Sequence, residues 1–114
     1  MIQRVIAWLT PLGIDVRPER PTDAPLPFVT VARIGGGQRG PFEEWALLSI
    51  GCLGATHAEA IATARAVHRR MRLLPGQKID GQLIDDVRDL ELADASTEKV
   101  KRAVVTATVV YRCQ

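Results

Sequence analysis

The stretch THAEAIATARAVHRRMRLLPG, Thr56 to Gly76, decides the fold. Thr56 carries the short hydroxyl side chain of a helix N-cap, and Glu59 stands at the reciprocal position of a capping box. Ala60, Ile61, Ala64, Val67, Met71 and Leu74 then recur at the spacing of one helical stripe, and Pro75-Gly76 ends it. The spacing predicts a helix over about 56–74 with a single apolar face. Arg65, Arg69 and Arg72 fall at i, i+4 and i+7 on the other side, with Arg70 nearby.

A one-sided helix needs an apolar surface to lie on, and the flanking segments read as strands. Upstream, EEWALLSIGCL (Glu43 to Leu53) places Ala46, Leu48, Ile50 and Cys52 on one face by the two-residue period of a strand. Trp45, Leu47 and Leu53 give the opposite face apolar character too. Before it, FVTVARI (Phe28 to Ile34) is rich in β-branched residues. The glycine cluster between these two strands predicts an antiparallel hairpin with a long, mobile tip. Downstream, VKRAVVTATVVYRC (Val100 to Cys113) turns Ala103, Val105, Ala107, Val109 and Tyr111 one way and Arg102, Thr106, Thr108 and Arg112 the other. A weaker alternation runs through Leu83 to Leu92.

Further out, Ile2, Val5, Ile6 and Leu9 share a helical face, and Pro11 and Gly13 stop it, which predicts a short N-terminal helix of about ten residues. Arg17 to Pro27, RPERPTDAPLP, is either a surface connection or an extended arm that reaches a partner. The order helix, strand, strand, helix, strand, strand argues for an α+β fold. We expect a two-layer sandwich, one domain over 1–114, with a mostly antiparallel sheet of about four strands under the two helices.

Composition excludes several classes. The 114 residues are 46% hydrophobic and 25% charged, a mix that buries a core. With aromatics at 4%, that core is aliphatic. A net charge of +2 does not call for nucleic acid, and the chain lacks the interleaved aromatics of a single-strand binder. No apolar run is long enough to span a bilayer, and the N-terminal apolar stretch is too short for a signal peptide. Cys52 and Cys113 form no C-x-x-C pair and have no histidine at zinc-ligand spacing, which suits a reducing compartment.

Gly35 to Gly40, GGGQRG, matches G-x-G-x-x-G, but no helix of useful length follows, so we read it as a hairpin tip. Cys52 and His57 are close in sequence, as a nucleophile and its base would be. Cys52 lies on the apolar face of its strand, however, which reads as a packed thiol. Asp80, Asp85, Asp86, Asp89, Glu91 and Asp94 do not follow calcium-loop spacing and read first as a solvated acidic face. The arginine row is either a solvated face or a docking face. Opposite charges on different faces of one domain suit head-to-tail association, which closes into a ring when the rotation permits. The candidate contact residues are Arg65, Arg69, Arg72, Asp85, Asp86, Asp89, Gly36, Gly37 and Arg39.

The whole pattern resembles the tail terminator, or tail completion, proteins of long-tailed non-contractile bacteriophages. The resemblance rests on the start helix IQRVIAWL, the Pro-rich link to a strand ending in Arg33-Ile34-Gly35-Gly36, and a second strand. It continues through the helix with its Glu59-Ala60 start and Leu74-Pro75-Gly76 end, the Ile79-to-Gly81 turn and the long final strand. It implies an α+β subunit of a homo-oligomeric ring, six-fold in relatives, at the head-proximal end of the tail tube. There the ring ends tube polymerisation and meets the tail tube protein and head-completion proteins, while DNA passes through the lumen without sequence-specific binding. It implies a virion location, no catalysis, no cofactor, no metal and no membrane. Other neck or connector ring proteins are the nearest alternative. A small enzyme or ligand-binding domain built on Cys52, His57 and the glycine loop is a further one. That class requires a pocket where thiol, imidazole and backbone donors converge; the structural class requires a subunit interface above about 1,000 Å².

Overall fold

The computed structural model describes residues 1–112, so the end of the last strand expected at Cys113 lies outside the described residues. The chain opens with α1 (Ile2–Leu9), whose Val5 and Leu9 are fully buried. A 3-10 turn, Thr10–Leu12, follows and ends at Gly13 with φ 77°, a left-handed conformation that glycine adopts without strain. Then come β1 (Asp15–Arg17), β2 (Phe28–Arg39), β3 (Glu43–Gly54), α2 (His57–Arg72), β4 (Lys78–Ile79), β5 (Gln82–Asp94) and β6 (Lys101–Arg112).

The strands form one sheet in the order β1-β2-β3-β6-β5-β4. The α+β class and the sheet-plus-helix arrangement are as expected. Two details differ: six strands replace about four, and β1 pairs parallel with the start of β2, Asp15 beside Phe28 and Arg17 beside Thr30. Pro18 follows immediately and cannot donate to a ladder, so β1 ends after three residues. At the far edge, β4 and β5 form a hairpin across Asp80 (φ 47°) and Gly81 (φ 78°), the paired positive φ angles of a tight two-residue turn.

The central strands carry the predicted alternation. Ala46, Leu48, Ile50 and Cys52 of β3 and Ala103, Val105, Ala107 and Val109 of β6 are all fully buried on one face. There they meet Ala64, Val67, Met71 and Leu74 from the α2 segment and Val5 and Leu9 of α1. At about 25 cal/mol per Å² of apolar surface removed from water, this layer contact is the main source of stability. Both helices lie on that face. On the other, Trp45, Leu47 and Val104 are half-buried, and Val110 is only 2% exposed.

Candidate interaction site

The position of α2 is set from its first turn. Thr56 Oγ1 accepts a hydrogen bond from the Glu59 backbone N–H at 3.1 Å, as a cap should. The Glu59 carboxylate reaches back to the Ala55 N–H at 2.9 Å, one residue earlier than the simplest capping box requires. Gly54, the last residue of β3, lies directly under this turn: a Cβ there would stand 2.5 Å from the Ala60 nitrogen. Strand and helix therefore join without slack, and the direction of every α2 side chain follows.

One flank of α2 is closed by α1. The Trp8 indole N–H donates to the Arg70 carbonyl at 2.8 Å, and Arg70 Nε donates back to the Trp8 carbonyl at 2.9 Å. The Arg70 guanidinium lies 3.7 Å from the centre of the indole ring, within cation–π range.

The other flank is open. Arg65, Arg69 and Arg72 line a trough between α2 and β5, with His68 among them. Its floor is apolar, made of Val87, Leu90 and Leu92 of β5; two hollows of about 310 and 260 Å³ lie over it, and a third of about 360 Å³ is bounded by Arg69, Arg72 and Leu73 of the α2 segment. Among the described residues, none of these three arginines makes a hydrogen bond or ion pair. Leu73, 61% exposed, extends the apolar surface at the C-terminal end.

The acids of β5 are engaged locally. Asp85 accepts from Arg112 at 3.2 Å. Asp86 accepts from Arg88 at 2.9 Å and from the Val87 N–H at 2.9 Å, and the Arg88 hydrogen bond holds its carboxyl below the usual range. Asp94 accepts from the Ser96 N–H, which lowers its pKa, and faces His57 at 3.6 Å. Asp89 sits at φ 52° inside a register break between Arg88 and Glu91, and a second break spans Ile84 to Asp86.

The arginine row and these acids thus share one flank of the domain, since α2 lies against β5. On the opposite flank β2 forms the sheet edge beyond the three residues of β1.

That edge differs from the hairpin tip expected from the glycines. After a register shift between Arg33 and Gly35, β2 stays paired through the glycines, with Gly36 opposite Ala46, Gly37 opposite Trp45 and Arg39 opposite Glu43, and only Gly40, Pro41 and Phe42 form the turn. Of these glycines, Gly37 is the one most closely covered by a rigid neighbour. A Cβ on Gly37 would meet the Trp45 indole nitrogen at 3.1 Å, one on Gly35 would meet the same ring at 3.9 Å, and one on Gly36 would collide with the Arg33 guanidinium. Because β1 stops at Arg17, residues 31–39 of β2 have no strand on their outer side.

Cys52 and His57 have separate environments. The Cys52 thiol is buried, its S–H directed to the Ile50 carbonyl at 3.9 Å, and burial pushes its pKa up to about 12. A thiol held neutral in this way is a poor nucleophile. His57 is exposed and turned toward Ser96 and Asp94. Among the described residues, no three His, Cys, Asp or Glu side chains gather as a metal site requires. No helix among them is long and apolar enough to cross a membrane.

Sequence reasoning found the arginines but missed the trough floor and the Trp8–Arg70 clamp. The irregular apolar spacing of Val87, Leu90 and Leu92, out of step with a two-residue period, was the available signal for the floor. No family model and no curated protein matches the chain.

Proposed function

We propose that the chain is a structural subunit that associates head to tail with copies of itself into a ring, in the manner of a phage tail terminator. The single observation that carries the reading is the difference in charge between the outer strands β2 and β5 of the antiparallel run. The β2 edge bears Arg33 and Arg39 and no acid; β5 bears Asp85, Asp86, Asp89, Glu91 and Asp94 against Arg88 alone. Each neighbour in the run β2-β3-β6-β5 is antiparallel, so the two outer strands run in opposite directions. A copy added by rotation about an axis along the strands brings its β5 side beside the β2 side, where side-chain charge rather than backbone pairing makes the contact. Repetition of that contact closes a ring when the rotation divides the circle.

On this reading the ring has six copies as in the family it resembles, sits in the virion at the head-proximal end of the tail tube, and meets the tube protein and head-completion proteins. It carries DNA through its lumen and performs no catalysis. Electron microscopy of the purified protein, alone and mixed with tail tubes, tests it. Closed rings and capped tube ends are expected, and Arg33→Glu with Arg39→Glu should reduce both. A protein that stays monomeric at high concentration and low salt, and leaves tube ends uncapped, overturns the reading.

A further inference from the structure

We propose that the trough between α2 and β5 receives an acidic amphipathic helix from a partner protein. The helix layer on the buried face of the sheet is incomplete. α1 fills the place on one side of α2, and on the other side Val87, Leu90 and Leu92 of β5 stay half-buried, with no helix above them. A helix laid there, parallel or antiparallel to α2, would complete a layer of three.

Two observations select the occupant. Arg65, Arg69 and Arg72 are exposed and unpaired along one rim, spaced over about 10 Å by the helical rise. Three unpaired guanidinium groups beside an apolar floor match carboxylates that flank an apolar stripe. The adjoining edge is also closed to strand addition. The two register breaks in β5, the left-handed Asp89 and the Asp86 carboxylate on the Val87 N–H remove a regular backbone template. A partner must therefore dock by side chains, and apolar residues at i, i+3, i+4 and i+7 of a helix reach such a floor.

This inference goes beyond the ring reading and does not depend on it, since peptide binding and ring formation are read separately. The probe is a synthetic helical peptide of about four turns with leucines on one face, glutamates on the flank that meets the arginines and neutral polar residues on the flank that meets β5. A permuted peptide of the same composition, without the common leucine face, is the control. Binding to the full chain is followed by fluorescence anisotropy and by backbone amide shifts. The striped peptide should bind at least about tenfold tighter than the control, weaken as salt rises, and shift amides of residues 65–72 and 87–92. Arg65→Glu with Arg69→Glu should weaken it about tenfold or more with an unchanged circular dichroism spectrum and melting curve. Leu92→Ser should weaken it without altering its salt dependence. Equal binding of both peptides, or indifference to the arginine reversal, overturns the proposal. So does tighter binding of a DNA duplex at the same amides, which would assign the row to phosphate. Self-association abolished by the same reversal would give the trough to a second copy and equally overturn it.

Discussion

On one flank of α2, Arg70 exchanges hydrogen bonds with Trp8 and lies against its indole. On the other, Arg65, Arg69 and Arg72 stand over an apolar trough without a partner among the described residues. The four arginines belong to one short run of one helix. What separates them is the rotation of 100° per residue in an α-helix, which aims Arg70 at α1 and its neighbour Arg69 away from it. An arginine beside a bare helix contributes little to stability. The same arginine stacked on an indole and donating to a backbone carbonyl helps to fix how two helices pack. The closed flank is therefore a folding feature, the open flank is a binding feature on the proposal above, and each should be open to perturbation without the other.

The largest break in this contrast is Trp8→Ala, which removes the indole, its hydrogen bond to Arg70 and the stacking surface. It should cost about 3 kcal/mol in denaturant unfolding and leave peptide binding in the trough intact. Beneath both flanks, Cys52 gives a pH signature. Its pKa is raised from an ordinary 9.0 to about 12 by burial. The neutral thiol then contributes stability that is fully present below pH 9.0 and lost as pH rises through about 12. The loss should reach about 3 kcal/mol near pH 11, and Cys52→Ala should flatten that part of the stability–pH curve. In a Cys113→Ser background, thiol reagents should label Cys52 only after unfolding.

Smaller still, Arg70→Ala should cost about 1–2 kcal/mol, and Arg70→Lys should recover only part of it, because an ammonium lacks the planar fork that spans ring and carbonyl. Least of all, alanine at Arg65, Arg69 or Arg72 should change unfolding free energy by no more than about 0.5 kcal/mol. A larger loss at any of the three would show that the open flank also supports the fold and would erase the distinction.

The elements that could be read from sequence are those whose signal is long and repeated. α2 announces itself by Thr56, Glu59 and Pro75-Gly76, and β3 and β6 by alternation over a full 12 residues each. The rest was hidden for identifiable reasons. β1 has three residues and β4 two, too few to display a period, and both exist because a neighbouring strand offers backbone partners. Gly35 to Gly37 have poor strand propensity, and pairing with β3 overrides it. β5 lost its alternation to two register breaks. In the candidate site, the residue types of the rim were legible, since arginine at i, i+4 and i+7 needs only a helix to interpret. The floor and the closed flank were not, because each depends on where a distant segment comes to rest: β5 beneath the trough, and Trp8, whose partner Arg70 lies 62 residues away.

The indole of Trp45, resting across Gly35 and Gly37, has a consequence for how this chain can vary. A side chain at 37 needs the space that the ring fills, and a smaller residue at 45 would leave bare backbone on the outer strand. Bulk at 37 requires the indole to give way by a few tenths of an ångström, which couples the two positions. In any lineage that carries this domain, bulk gained on one strand should be matched by bulk given up on the other.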